Sequence, residues 1–208
     1  MQPKRKRGRP RTVEREATVL LAMENYWREG VHTLSVNEIC RRTNLSKPAL
    51  YREFGGEDGL LDAALAHYQK MVIDTMTADI DPNRPFAETL ARIVAGLTGP
   101  RDTPQGCLLV KVRDNPAAQG PLTQKRVATI VAAMQAGYAA LFQQAQARGE
   151  TRTDISPEPA GRYLDTQINT ILRRLAWNEP PEVIAWEACL ALSALLPPGT
   201  PLDIPTQN

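Results

Sequence analysis

The chain has little of what catalysis needs. Its 208 residues include two histidines, His32 and His67, and three cysteines, Cys40, Cys107 and Cys189. Neither histidine sits near a candidate cysteine, serine or metal ligand in sequence, so no catalytic constellation is legible and an enzyme is not expected. The cysteines are widely spaced and odd in number, with no C-x-x-C pair. That argues against a disulfide framework, leaves no metal or cofactor to expect, and makes a reducing cytoplasm the expected location. No segment alternates apolar and polar residues long enough to read as a convincing strand. The basic start is not followed by an apolar stretch, so no secretory signal is expected. Residues 127–147 carry no charge, but four glutamines interrupt them. Their apolar positions recur every three or four residues, the spacing of a buried amphipathic helix and not of a membrane span.

What the chain does have is positive charge at one end. Residues 1–52 hold twelve Lys/Arg against five acids, a net of +7; residues 53–208 hold thirteen against eighteen, a net of −5. The formal total of +2 conceals this split. A basic quarter on an acidic body is what a polyanion-binding head looks like. Its extreme is "KRKRGRPRT" at 4–12, with six basic residues and no acid. Such a run is either a solvated tail or an arm that reaches for nucleic acid.

The periodicity is helical nearly throughout. A first helix is expected over 12–29, with Val19, Ala22, Met23 and Tyr26 as its buried stripe and Gly30 as its stop. Ser35-Val36-Asn37-Glu38 reads as a capping box opening a second helix that ends near Arg42. A tight turn follows at Thr43-Asn44-Leu45, where Asn44 supplies the positive φ such a turn needs. Ser46 caps a third, short helix over 47–54, with Pro48 in its first turn and Gly55-Gly56 at its end. A fourth runs from Glu57 to about residue 78. Further helices are expected at about 85–97, 105–113, 121–148, 157–177 and 181–196.

Two short capped helices joined by a tight turn make a helix-turn-helix. Val36, Ile39, Cys40, Leu45, Leu50 and Phe54 would pack inward. Ser46, Lys47, Pro48, Ala49, Tyr51 and Arg52 would remain near the surface, small enough to enter a major groove. The stretch "YWREGVHTLSVNEICRRTNLSKPALYREFGGEDGLLDAAL" (26–65) resembles the N-terminal domain of the tetracycline-repressor-like (TetR) family of bacterial transcription regulators. Tyr26, Gly30, Ser35, Ile39, Leu45, Ser46, Lys47, Leu50, Tyr51, Phe54 and Leu60 carry the likeness, which is strong over about 12–70 and rests beyond that on helix count and lengths. Asn44 stands where the family usually has Gly, and Glu57 where it usually has a phosphate-facing Lys.

The resemblance implies an all-α fold of about nine helices, with an N-terminal three-helix DNA-binding domain and a C-terminal domain for effector binding and dimerisation. The charge run, the Asp79-Ile80-Asp81-Pro82 boundary and the Pro-rich end divide the chain into a basic arm (1–11), the DNA-binding domain (12–78), the helical body (79–197) and a tail (198–208). The resemblance implies a repressor that binds a palindromic operator in double-stranded DNA as a homodimer and is released by a small-molecule effector, with no membrane partner. It assigns Lys47, Tyr51 and Ser35 to phosphates, and Ser46, Pro48, Ala49 and Arg52 to the groove, Arg52 having the fork that reads guanine. Arg7-Gly8-Arg9-Pro10 matches an AT-hook core, so Arg7 and Arg9 are candidates for the minor groove. In the body, Cys107, Met134, Tyr138, Phe142 and Trp177 are candidates to line an effector pocket, with Arg113 as anchor for an anion. Leu164, Ile168, Ile171, Leu172 and Leu175 form a stripe that, with the apolar helix at 181–196, suits a self-association face. The rival reading is a small-molecule-binding or thiol-redox sensor protein, with Cys107 as its thiol and a basic N-terminus that is incidental.

Overall fold

The computed structural model describes residues 11–203 apart from 79 and 82. Ten α-helices follow one another among them: α1 (Arg11–Glu29), α2 (Val36–Arg42), α3 (Lys47–Phe54), α4 (Glu57–Tyr68), α5 (Asp74–Ala78), α6 (Phe86–Thr98), α7 (Leu108–Arg113), α8 (Pro121–Ala147), α9 (Pro157–Ala176) and α10 (Pro181–Leu192). No strand occurs among the described residues. Counting α4 and α5 as one rod gives the nine helices expected.

That rod is not regular. Between α4 and α5 the backbone makes a π turn, Gln69–Ile73. The buried positions of α4 recur every three or four residues up to Tyr68, and the next buried side chain is Ile73, five residues on. A π turn is the device that carries a stripe across a five-residue step. Met71, Val72 and Ile73 are all apolar, so the sequence gives no phase from which to foresee it.

The first helices fold on local signals. Ser35 Oγ accepts from the Glu38 N–H at 3.2 Å. The expected reciprocal bond from Glu38 is replaced: its carboxylate binds Arg41 at 2.6 and 2.9 Å and Arg42 at 2.5 Å. Two guanidiniums attract a carboxylate more strongly than one peptide N–H does. Asn44 has φ 53°, as the turn requires. Ser46 Oγ accepts from the Ala49 N–H at 3.3 Å, and Pro48 lies in the first turn of α3. Gly55 and Gly56 reverse the chain at φ 75° and 128°. A β-carbon on Gly59 would sit 1.7 Å from the Phe54 carbonyl oxygen, so α4 leaves α3 at a distance only glycine permits.

The long helices depend on remote partners. The residues before α6 and α8, Pro85 and Gly120, provide no side-chain cap. Glu150 supplies one to α6, accepting from Phe86 N–H at 2.8 Å. Asp58 supplies the other to α8, accepting from the N–H groups of Leu122 at 2.9 Å and Thr123 at 3.1 Å. Asp58 belongs to α4, so this cap also joins the N-terminal helices to the body. Asp62 and Arg126 form an ion pair one turn further along. Trp27 Nε1 donates to the Gly106 carbonyl at 3.2 Å, and Lys111 donates to the carbonyl of Trp27. The apolar core runs without a break from α1 through α10.

Candidate nucleic-acid interface and cavity

The helix-turn-helix presents one polar surface. Ile39, Cys40, Leu50 and Phe54 are buried, while Val36 and Leu45 are half-buried against them. This leaves Ser46, Lys47, Pro48, Tyr51 and Arg52 exposed and Ala49 half-exposed on α3, contiguous along its first two turns. Tyr51 shows 58% of its surface, its ring lying across Gly56. Arg52 leans on Glu53 at 3.1 Å, an exposed contact that costs little to release. Lys47 has no ion-pair partner among the described residues. The oxygens of Ser35 and Ser46 are engaged in capping, which leaves their hydroxyl hydrogens to donate. Arg15, not singled out by the sequence pattern, lies 4.9 Å over the Phe54 ring and adds a cation beside α3. Arg7 and Arg9 lie outside the described residues.

The second feature is a cavity between the N-terminal helices and the helices that follow them, with three adjoining lobes of about 360, 390 and 420 Å3. All three share Thr77 and Tyr138. The 390 Å3 lobe is walled by α1, α4, the π turn, α5, the end of α6, the loop before α7 and α7 itself, and closed by α8 and α9. It brings together three residues singled out above, Cys107, Met134 and Tyr138.

The other three stand elsewhere. Phe142 is fully buried, packed edge-to-face on Phe86 with centroids 5.8 Å apart. Trp177 is 66% exposed at the end of α9. Arg113 is no free anchor: it pairs with Asp165 at 3.2 and 3.3 Å. Asp165 is only 2% exposed and also accepts from Gln135 at 3.0 Å and Asn169 at 2.8 Å. A buried carboxylate must have such partners, and this one holds the arginine. Sequence spacing placed Phe142 and Arg113 on the right helices, and Trp177 just past the end of α9; it gives neither helix rotation nor ion pairing.

Burial sets the chemistry of the wall. It raises the pKa of the Cys107 thiol, opposed by a hydrogen bond from the Tyr68 hydroxyl at 3.2 Å. A thiol kept protonated is a poor nucleophile. Burial also raises Tyr68 and Tyr138, so both remain neutral donors at physiological pH.

The aliphatic stripe of α9 turns inward. Leu164, Ile168, Ile171, Leu172 and Leu175 are all buried within the protomer, because α9 lies between α8, α6 and α10. The apolar surface left outside belongs to α10: Val183 is 43%, Trp186 66% and Leu190 63% exposed, on one face with Trp177 nearby in sequence. Among the described residues no helix is long and apolar enough to cross a membrane, and no cluster of three His, Cys, Asp or Glu stands ready for a metal.

Comparison with known proteins agrees with this geometry. Residues 21–64 match the model of the bacterial regulatory proteins of the tetR family. The chain is 25% identical over 178 residues to the HTH-type transcriptional repressor ComR of Escherichia coli (strain K12), covering 83% of this chain and 82% of that one. The fold is similar to a cysteine mutant of the TetR family transcriptional regulator CifR complexed with 26-bp double-strand operator DNA, with a TM-score of 0.73 and 20% identity over 90% of this chain and 100% of that one. It is equally similar to the reduced form of E. coli NemR, with a TM-score of 0.73 and 12% identity over 90% and 100%.

Proposed function

We propose that this tetR-family protein is a ligand-responsive repressor, cytoplasmic and homodimeric, that binds a palindromic operator and is released by a small molecule held in the cavity. The observation that carries the reading is the helix-turn-helix: Ser35 caps α2, Ser46 caps α3, a left-handed Asn44 joins them, and α3 leaves Lys47, Pro48, Tyr51 and Arg52 facing solvent. Lys47, Tyr51 and Ser35 take phosphates and set register. Arg52 reads a base edge, with Ser46, Pro48 and Ala49 fitted to the groove. The arm at 1–11 adds minor-groove contacts through Arg7 and Arg9. Residues 12–78 are the reading head, 79–197 the effector and dimerisation body, and 198–208 a tail.

The outer face of α10 supports the dimer, since a patch of a tryptophan, a leucine and a valine is what a second copy covers. The links from Asp58, Asp62 and Lys111 join head to body, so a ligand that favours one packing of the cavity wall shifts the spacing of the two heads. The raised thiol of Cys107 argues against a redox sensor. Selection from a random duplex pool, with the full chain and with a form lacking residues 1–11, tests the proposal. The expected product is a palindrome with half-sites about one helical turn apart, roughly 34–36 Å, and A·T-rich flanks that disappear on truncation. Absence of any enriched sequence overturns it.

A further inference from the structure

The 390 Å3 lobe has an unbalanced charge. No Asp or Glu lines it, and its single charged lining residue is Arg101. Asp165, behind the wall, is already neutralised by Arg113. Arg101 is half-buried in the loop just after α6, where desolvation disfavours its cationic form. Yet among the described residues no carboxylate lies within ion-pair distance of it, whereas nearly every other partly buried arginine of the body has one. Its Nη2 donates to the carbonyls of Gly96 (2.6 Å) and Leu97 at the C-terminus of α6. Those bonds explain why the side chain is held in place. They leave the three hydrogens of Nε and Nη1 without a protein acceptor among the described residues. A guanidinium fixed by one nitrogen and open on the others, on a wall that is otherwise uncharged and largely apolar, is prepared for an anion.

We infer that the effector is an organic anion, with an apolar body against Trp27, Met71, Met134 and Tyr138 and a carboxylate-sized head on Arg101. This rests on the regulator reading above and names its ligand class. Arg113, the anchor that spacing favoured, is spent on Asp165; Arg101 takes the role.

The test uses the full chain and matched probes: 2-naphthoate and decanoate against the neutral 2-naphthamide and decanamide. Calorimetric titration of wild type should show each anion bound roughly tenfold or more tighter than its amide, as expected for a charge-assisted bond shielded from water. In Arg101→Gln the preference should vanish while the amides bind within about twofold of wild type. Arg101→Lys should restore most of it. Met134→Trp, which fills the lobe, should weaken anion and amide alike. Equal affinity for anion and amide in wild type, an unchanged preference in Arg101→Gln, or no binding of any of the four at millimolar concentration overturns the inference. Operator selection on the same preparation separates that failure from failure of the regulator reading: a palindrome enriched by a protein blind to the anions sinks only the ligand class.

Discussion

Helices α3 and α10 are both short, both carry proline in the first turn and both leave one face to solvent, but the faces are opposite in kind. α3 shows Lys47, Pro48, Tyr51 and Arg52; α10 shows Val183, Trp186 and Leu190. A polar, cationic ridge satisfies its hydrogen bonds in water and exchanges them for phosphate and base edges without loss. A face of tryptophan and leucine gains only when water leaves it. In the proposed function the same architecture offers one end to nucleic acid and the other to a second copy of itself. The sign of what is exposed, not the helix, separates the two roles.

The largest test of this contrast is to make α10 resemble α3. Trp186→Asp with Leu190→Asp should convert the protein to monomers in sedimentation and lower operator affinity about 100-fold or more, because each half-site then binds alone. Melting should fall only by the stability that dimerisation confers and lose its dependence on protein concentration, since both side chains are exposed on the protomer. An unchanged mass would break the contrast.

The next tests lie on α3. Arg52→Ala should cost about 1–3 kcal/mol on the selected site and little on scrambled duplex, relaxing specificity at one base pair. Lys47→Ala should weaken both equally and reduce the salt dependence by about one counterion. Equal losses on both duplexes for Arg52→Ala would remove it from the reading role.

Asp58 connects the two regions. Burial pushes its pKa up, but hydrogen bonds from Thr123 and Leu122 outweigh that and hold it below the usual carboxylate value. A depressed carboxylate stabilises the fold above its unfolded pKa of about 3.9, and that contribution is lost as pH falls through the lower folded value. Asp58→Ala should therefore cost about 1–2 kcal/mol at neutral pH, the size of a lost cap. The cost should shrink in acid below the pKa, as read by urea melts at several pH values. A cost independent of pH would show that packing, not charge, joins head to body.

The smallest effect is expected at Asn44. Asn44→Gly should be neutral within about 0.5 kcal/mol, and Asn44→Val should cost about 1–2 kcal/mol, since a β-branched residue resists positive φ. Comparable melting temperatures for the two variants would mean the turn is set by its neighbours.

The reading head was legible because its determinants are close in sequence. Ser35 to Glu38, Ser46 to Ala49 and the Asn44 turn are contacts three residues or fewer apart, and residue type alone predicts them. The body was legible only in outline. Its helix positions follow from periodicity, yet the rotation of each helix does not, so Phe142 turned into the core and Trp177 out of it. Arg101 carried no signal: one arginine in a Pro/Gly-rich loop looks like any other until α6, α7 and α9 surround it.

By itself the sequence determined an all-helical chain, a capped helix-turn-helix with a left-handed asparagine, and a basic head on an acidic body. These follow from hydrogen bonds within one turn and from periods of three and four. The tertiary structure decided the rest. It gave α6 and α8 their caps from Glu150 and Asp58, each reaching across 64 residues. It set the π turn that carries the core from Tyr68 to Ile73, the pairing that takes Arg113 out of the cavity, and the opening that leaves Arg101 there without a carboxylate. Each depends on which surfaces meet once the chain is packed, and that is a property of distance in space, which residue order does not record.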